Sequence, residues 1–387
     1  MKEILTLNAI SPVANEVFPE GYRLTDKAEK PEGIMLRSFS MHEYDLPESV
    51  LAVARAGAGT NNIPSDAYAK KGVVVFNTPG ANANAVKELV LAALFASGRK
   101  LAESLEWVKS IADKGEEIPK LVEKGKKNFV GHELKGKTIG IIGLGAIGAQ
   151  VANATEAIGM KVLGYDPYLS VENALSLTRK AHRVMSLDEI AAAADYVTVH
   201  IPLLADNKGF LNKDFFAKMK DGAVLVNLAR GELVNNDDVI AAVESGKLSK
   251  YVCDFPCEKL IGKENILCFP HLGASTPEAE DNCAVMAAKQ LVDYIENGNI
   301  VNSVNFPACT SARCTPYRIS VLHKNQQNMI AQISSILAQD NINIENFENK
   351  NKGDNAYTIL DIAAEASDEM LAKIAAIDGV YRVREIR

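Results

Sequence analysis

Three polar residues in the second half of the chain suit acid–base and anion-binding chemistry: Arg230, Glu258 and His271. Each follows an apolar, strand-like run, in LARGEL, DFPCEK and FPHLGAST. A histidine exchanges a proton near neutral pH, and an arginine holds a carboxylate by two parallel hydrogen bonds. A carboxylate such as Glu258 would fix one imidazole tautomer and favour the protonated ring. Singly, these residues are also typical of solvated or packing side chains; together they predict oxidation of a hydroxyl beside a carboxylate.

A glycine pattern precedes these residues. TIGIIGLGAIGAQVA places Gly143, Gly145 and Gly148 in G-x-G-x-x-G, after an apolar strand run and at the start of a helical run. There Gly143 permits a tight turn, Gly145 lets the main chain approach a pyrophosphate, and Gly148 lets helix and strand pack closely. Main-chain N–H groups at the helix start, including Ala146 and Ile147, would bind phosphate oxygens. The pattern predicts a dinucleotide site.

Asp166 indicates which dinucleotide. It ends the run KVLGYD, 18 residues beyond Gly148. A carboxylate there accepts hydrogen bonds from a ribose diol and repels a 2′-phosphate. Pro167 and Tyr168 follow, so no arginine is present to receive such a phosphate. The sequence favours NAD over NADP.

The elements that must position these residues alternate along about the first 280 residues. Apolar runs such as ILTLNAI, GVVVFNT, TIGIIGLG, YVTVHIP and AVLVNLA are separated by amphipathic runs such as SLDEIAAAA. Continuous apolar strands between helices are typical of a parallel sheet covered on both faces. The fold class predicted is α/β and doubly wound.

Two long helices mark the domain boundaries. The first is predicted over KELVLAALFASGRKLAESLEWV; the second begins at Pro277 after a cap at Ser275 or Thr276 and ends at Gly298. We therefore expect a Rossmann nucleotide domain, residues 93–281, inserted into a flavodoxin-like substrate domain formed by residues 1–92 and 282–312.

The pattern changes after a linker that carries Pro307 and Pro316. Residues 317–387 show a β-α-β-β-α-β order, which predicts a small ferredoxin-like domain.

The glycine pattern, ARGELV, DFPCE and PHLGAST, in that order, resemble the D-isomer-specific 2-hydroxyacid dehydrogenases. The resemblance covers almost the whole chain. It implies that Arg230 binds the substrate carboxylate, that His271 is the acid–base and that Glu258 supports it. It also implies that Asp254 lies near the nicotinamide amide and Pro202 in the cofactor site. The cofactor set predicted is completed by Ala229 and Gly273.

The same resemblance implies a phosphorylated substrate. MLRSFS is similar to the R-S segment that contacts the substrate phosphate in the phosphoglycerate-oxidising members, so Arg37 and Ser38 are candidates. RAGAGTNNI offers Arg55, with the N–H groups of Ala58 and Gly59 for the carboxylate, and PGANA offers Asn82 at the substrate cleft. A phosphate needs cations, which Arg37 and Arg55 supply; the alternative is that Arg37 only pairs with a neighbouring acid at the surface. The activity implied is oxidation of 3-phospho-D-glycerate, the first step of L-serine synthesis.

This chain departs from the family pattern at several places, among them Lys87, which stands where the family's helix commonly has a small residue. One residue fewer separates Asp254 from Glu258, and Lys259 replaces the usual proline. The last domain resembles an ACT domain, a module for regulation or assembly. Its H-x-N-x-P-G signature is reduced to His323 and Asn325, which argues against serine feedback.

Composition excludes other classes of protein. The formal net charge of -7 argues against a nucleic-acid surface, and no apolar run reaches membrane-spanning length. The six scattered cysteines form no metal-site spacing. We expect no metal, reduced thiols, a cytoplasmic location and a homodimer or homotetramer. Two alternatives stay open: a relative acting on glycerate/hydroxypyruvate, lactate or glyoxylate, and a non-catalytic NAD-sensing protein.

Overall fold

The computed structural model describes all 387 residues. The chain forms two compact units, one built from Met1–Asn82 and Pro277–Arg387 and the other from Ala83–Thr276. The units change at 82/83 and 276/277, whereas the sequence predicts 92/93 and 281/282. Each new boundary is the start of a long helix, and because a helix packs as one rigid body it belongs whole to one unit.

The first unit begins with a five-stranded parallel sheet in the order β2-β1-β3-β4-β5. This is the doubly wound order of flavodoxin-like sheets. Its elements are β1 (Lys2–Leu7), β2 (Tyr22–Thr25), β3 (Gly33–Leu36), β4 (Ala52–Arg55), α1 (Ser65–Lys70) and β5 (Val74–Phe76).

The second unit holds a seven-stranded parallel sheet in the order β12-β11-β10-β9-β6-β7-β8. Counted from β6 this is the Rossmann order 3-2-1-4-5-6 with a seventh strand added. The strands are β6 (Thr138–Ile142), β7 (Lys161–Tyr165), β8 (His182–Arg183), β9 (Tyr196–Val199), β10 (Ala223–Asn227), β11 (Leu248–Cys253) and β12 (Ile266–Cys268). The helices are α2 (Ala83–Arg99), α3 (Leu101–Ser110), α4 (Ile118–Gly125), α5 (Ala146–Ala157), α6 (Val171–Ser176), α7 (Leu187–Ala193), α8 (Lys213–Lys218) and α9 (Asn236–Glu244).

Helices cover both faces of this sheet, as the apolar strand runs predicted. One face packs against α7, α8 and α9, and the other against α2 and α5. The single long helix predicted over residues 87–108 is wrong, because the chain breaks at Lys100, whose φ of 48° is left-handed. The helices α2 and α3 are therefore separate.

The rest of the first unit begins with α10 (Pro277–Asn297). Gly298, with φ 74°, follows the helix directly and terminates it. An antiparallel sheet in the order β14-β15-β13-β16 follows. Its elements are β13 (Tyr317–Lys324), α11 (Met329–Gln339), β14 (Ile344–Lys352), β15 (Asn355–Ile362), α12 (Asp368–Ala375) and β16 (Val380–Ile386). This is the β-α-β-β-α-β order expected from the sequence.

Both faces of the antiparallel sheet are buried. Ile319 and Leu360 face α11 and α12, whereas Leu322 and Tyr357 join the apolar cluster of the first parallel sheet. Because its second face belongs to that core, this sheet is an integral part of the first unit.

A fully buried ion pair joins the antiparallel sheet to α10. Arg318 Nε donates to Asp361 Oδ1 at 2.6 Å, and neither side chain is exposed. Arg318 Nη1 donates to the carbonyl of Asn297, at the end of α10. The guanidinium thus satisfies a carboxylate and a helix-terminal carbonyl at once.

No helix combines the length and the apolar character that spanning a bilayer requires. All six cysteines are free.

Candidate active site

The glycine loop joins β6 to α5. Gly143 has φ 91°, a conformation that side chains rarely adopt, and a Cβ there would meet the carbonyl oxygen of His200 at 2.5 Å. A Cβ at Gly148 would collide with the carbonyl of Gly143. The two glycines are therefore required by the packing of the loop.

Gly145 differs from the other two glycines of the fingerprint. It caps α5 with φ −69°, and a Cβ there would meet no atom within 4 Å. The first intrahelical bond runs from the N–H of Ala149 to the carbonyl of Gly145, so the N–H groups of Ala146 and Ile147 precede it. Open space beside unpaired helix-start N–H groups suits a pyrophosphate, and these residues fit a dinucleotide.

Asp166 closes this loop from the end of β7. Its Oδ2 accepts the N–H of Leu144 and its Oδ1 accepts the N–H of Tyr168, both at 2.8 Å. Each carboxylate oxygen has a second lone pair, so the half-buried side chain still has acceptors for ribose hydroxyls. Tyr168 is 92% exposed.

The loop after β9 lies beside the glycine loop. His200 is bonded to Thr198 Oγ1 through Nε2 at 3.0 Å, and its Nδ1 is buried without a partner. Burial lowers the pKa of His200 to about 4. Pro202, predicted in the cofactor site, accepts the side-chain amide of Asn207 at its carbonyl. His200 is a neutral imidazole at neutral pH, and sequence reasoning missed it.

Asn227 positions Arg230. This fully buried residue ends β10; its Oδ1 accepts the N–H of Ala229 at 3.2 Å and its Nδ2 donates to the carbonyl of Arg230 at 2.8 Å. Arg230 Nη1 donates to the carbonyl of Ala229, which leaves further guanidinium donors for a carboxylate. Nothing in the apolar run AVLVNLA distinguished Asn227 from a residue that merely ends a strand.

Asp254 positions His271. It follows β11 and is 1% exposed. Its Oδ1 accepts the N–H of Leu272 at 2.7 Å, and its Oδ2 accepts the N–H of Gly273 at 2.8 Å. His271 adopts φ 55° and its exposed ring packs against Phe255, with ring centroids 4.8 Å apart. The Asp254 carboxylate therefore fixes the main chain that presents the imidazole.

The predicted contact between Glu258 and His271 is absent. Glu258 is exposed and makes no hydrogen bond or ion pair, while the adjacent Lys259 pairs with Asp237 at 2.7 Å. The short segment between Asp254 and Glu258 leaves this carboxylate in solvent. The carboxylate that contacts the His271 loop within the second unit is that of Asp254.

The predicted substrate residues lie at the carboxyl ends of β3 and β4 in the first unit. Arg55 Nε donates to the carbonyl of Arg37 at 3.0 Å, and Arg55 Nη1 donates to the carbonyl of Gly59. The Arg37 guanidinium forms an ion pair with Glu280. Ser38 is exposed. The two arginines are thus neighbours, and Arg37 is paired with Glu280.

Several polar groups of the first unit have no partner within the protein. The N–H groups of Ala58 and Gly59 make no hydrogen bond within the protein, although Asn77 donates to the carbonyl of Ala58 at 2.6 Å. Asn82 Oδ1 is buried without a partner. Such groups are available to a polar ligand.

Comparison with known proteins identifies the family. Residues 91–273 match the family described as D-isomer specific 2-hydroxyacid dehydrogenase, NAD binding domain. The chain is 32% identical over 381 residues to the D-3-phosphoglycerate dehydrogenase of Haemophilus influenzae, covering 94% of this chain and 89% of that protein. This chain belongs to the D-isomer specific 2-hydroxyacid dehydrogenase family.

Other proteins that the chain resembles are also dehydrogenases. D-3-phosphoglycerate dehydrogenase from Rattus norvegicus is 33% identical over 333 residues, which is 81% of this chain and 60% of that protein; the chain thus spans about three fifths of the rat protein's length. The NAD+-bound 3-phosphoglycerate dehydrogenase of Entamoeba histolytica superposes with a TM-score of 0.61 and 27% identity, covering 79% and 98% of the two chains. Holo D-mandelate dehydrogenase from Rhodotorula graminis shares the fold, with a TM-score of 0.65, 23% identity and coverage of 80% and 99%. The family match and the NAD+-bound relative confirm NAD as the cofactor.

Proposed function

We propose that this protein catalyses the NAD-dependent oxidation of 3-phospho-D-glycerate to 3-phosphohydroxypyruvate, the first step of L-serine synthesis. The observation that carries the proposal is the similarity to the Haemophilus influenzae D-3-phosphoglycerate dehydrogenase over nearly the full length of both chains. The Arg230 and His271 loops and the glycine fingerprint support it, because an oxidation of this kind needs all three.

The second unit supplies the chemistry. His271 removes the proton of the substrate hydroxyl, and the Asp254 carboxylate holds the main chain from which the imidazole projects. Arg230 binds the substrate carboxylate and orients the reacting carbon. Gly143, Gly145, Gly148 and Asp166 would hold the pyrophosphate and ribose of NAD, which would supply the acceptor for the hydride.

The first unit supplies substrate recognition. We assign the phosphate to Arg37 and Ser38, with Arg55 adding a second positive charge. The free N–H groups of Ala58 and Gly59 suit carboxylate oxygens of the substrate. The unpartnered Oδ1 of Asn82 is an acceptor and suits a substrate hydroxyl.

The remaining expectations belong to the same proposal. Residues 317–387 form an ACT-like domain for regulation or assembly, which the β-α-β-β-α-β order supports. Asn328 takes φ 65°, the left-handed conformation that a glycine would provide at this turn. The proposed assembly is a homodimer or homotetramer, and the proposed compartment is the cytoplasm.

Initial rates with a panel of substrates test the function. NADH formation is measured with 3-phospho-D-glycerate, D-glycerate, D-lactate and glycolate, each with NAD and with NADP. We expect kcat/KM for 3-phospho-D-glycerate with NAD to exceed the other values by about tenfold or more, since a hydrogen bond to a charged group contributes about 1.5–3 kcal/mol. A higher value for an unphosphorylated acid would refute the substrate. NADH binding without turnover of any acid would indicate an NAD-sensing protein.

A further inference from the structure

The ion pair between Arg37 and Glu280 places an acid on the residue proposed to bind phosphate. Arg37 follows β3 directly, and Glu280 lies in the first turn of α10. Both side chains are partly exposed, at 39% and 45%. Glu280 is the one ion-pair partner of this guanidinium.

Arg37, Arg55 and Glu280 form one cluster of charged side chains, as the environment of Cys283 shows. The buried thiol of Cys283, one turn along α10, lies within the field of three charged residues. Burial raises the pKa of Cys283; Arg37 and Arg55 act to lower it and Glu280 to raise it. One carboxylate and two guanidinium groups therefore share a small region at the carboxyl ends of β3 and β4.

The other acids in the first turns of α10 lie outside this cluster. Asp281 Oδ1 accepts the hydroxyl of Ser11 at 2.5 Å. Glu278 is exposed and makes no ion pair. Among the acidic residues of this segment, Glu280 is therefore the one that forms an ion pair with Arg37.

We propose that Glu280 is a specificity-determining residue, which competes with the substrate phosphate for Arg37. A carboxylate and a phosphate accept the same guanidinium N–H groups, and their negative charges repel each other. A phosphorylated 2-hydroxy acid must displace Glu280, whereas an unphosphorylated one need not. Glu280 therefore weakens binding of the phosphorylated acid selectively. This inference rests on the proposed function, since it assumes that Arg37 receives the phosphate.

Glu280→Gln tests the inference because it removes the charge and keeps the size of the side chain. Calorimetric titration of the full-length protein with 3-phospho-D-glycerate gives Kd, and steady-state rates give KM and kcat. We expect Kd and KM for 3-phospho-D-glycerate to fall about two- to fivefold, the range for partly exposed charges, with kcat within about twofold. KM for D-glycerate should change less than about twofold.

Two controls isolate the pair. Glu278→Gln removes a neighbouring charge of the same helix turn and should leave Kd within about twofold. In an Arg37→Ala background, Glu280→Gln should no longer tighten phosphoglycerate binding, because the shared guanidinium is gone.

The outcomes separate this inference from the proposed function. An unchanged or raised Kd in Glu280→Gln, or an equal change for glycerate and phosphoglycerate, overturns the role of Glu280. Absence of phosphoglycerate binding in both wild type and Glu280→Gln overturns it as well. Tighter binding in Glu280→Gln without turnover in either protein retains the Arg37 contact and overturns the proposed reaction alone.

Discussion

Both carboxylate oxygens of Asp254 are bonded to the main chain immediately after His271. The N–H groups of Leu272 and Gly273 donate to them at 2.7 and 2.8 Å, and the side chain is almost fully buried. His271 itself adopts a left-handed φ of 55°, a strained conformation for a residue with a side chain. His271, the proposed acid–base residue, is therefore held by a buried carboxylate that bonds to the main chain and makes no bond to the imidazole.

Asp254→Asn should reduce catalysis more than stability. The amide NH2 group would face one of the two main-chain N–H donors, so one bond is lost and the imidazole is less well placed. We expect kcat to fall about 10- to 100-fold and the free energy of unfolding to fall by about 1–3 kcal/mol. Steady-state rates and urea denaturation measure the two effects. Asp237→Asn, at an exposed ion pair, is the control; an unaltered kcat in Asp254→Asn would show that these bonds do not position His271.

Gly145→Val separates cofactor binding from folding. The φ of Gly145 is compatible with a side chain and a Cβ meets no protein atom, so Tm should stay within about 2 °C. If the main chain approaches a pyrophosphate here, the Kd for NADH should rise about tenfold or more. Fluorescence titration with NADH measures it. A wild-type Kd would mean that the pyrophosphate binds elsewhere.

Asp166→Ala should weaken the preference for NAD. Loss of the carboxylate removes the ribose acceptor and the repulsion of a 2′-phosphate. We expect the ratio of kcat/KM for NAD to that for NADP to fall about tenfold or more, in line with about 1.4 kcal/mol per tenfold. Rates with each cofactor at several concentrations test this. A ratio equal to that of the wild type would remove Asp166 from cofactor selection.

Asp361→Asn should destabilise the first unit in a pH-dependent manner. Burial raises the pKa of Asp361, but hydrogen bonds from Arg318 and Cys314 outweigh it and the net pKa is lowered. A carboxyl with a lowered folded-state pKa stabilises above its unfolded pKa, about 3.9, and loses that contribution as pH falls through the folded value. Breaking this buried pair should cost about 3–5 kcal/mol at pH 7, and the difference from wild type should shrink below about pH 4.

Urea denaturation between pH 3 and 7 measures this pH dependence. Asp188→Asn is the matched control, since its pair with Lys218 is exposed and should contribute less than about 1 kcal/mol. A constant difference between wild type and Asp361→Asn across the pH range would contradict the account.

The spacing of glycines and of apolar residues predicted the elements whose structure is set by neighbouring residues in the sequence. The glycine fingerprint is a strand–turn–helix unit, and the apolar runs of β6, β9 and β10 specify buried parallel strands by composition. The break at Lys100 was missed because the left-handed residue is a lysine, while the nearby Gly98 remains inside α2. Asn227 was missed because its role depends on hydrogen bonds to the main chain of Ala229 and Arg230, just after the strand. Composition does not reveal such bonds.

Contacts between distant segments could not be predicted from the sequence. The position of Glu258 depends on the length of one loop, and the pairing of Arg37 with Glu280 depends on how α10 packs beside β3. The sequence offered His323 and Asn325 as remnants of a motif. In the structure, His323 is buried and bonds to Thr358 Oγ1 at 2.9 Å and to the carbonyl of Lys324.

The measurement that tests the central claim most directly is NADH formation by the His271→Asn protein at saturating NAD and 3-phospho-D-glycerate. Asparagine keeps a polar side chain but cannot take the hydroxyl proton. The account predicts that kcat falls about 100- to 10,000-fold, the contribution of general acid–base catalysis, while the Kd for NADH stays within about twofold. Turnover within about threefold of the wild type would contradict it.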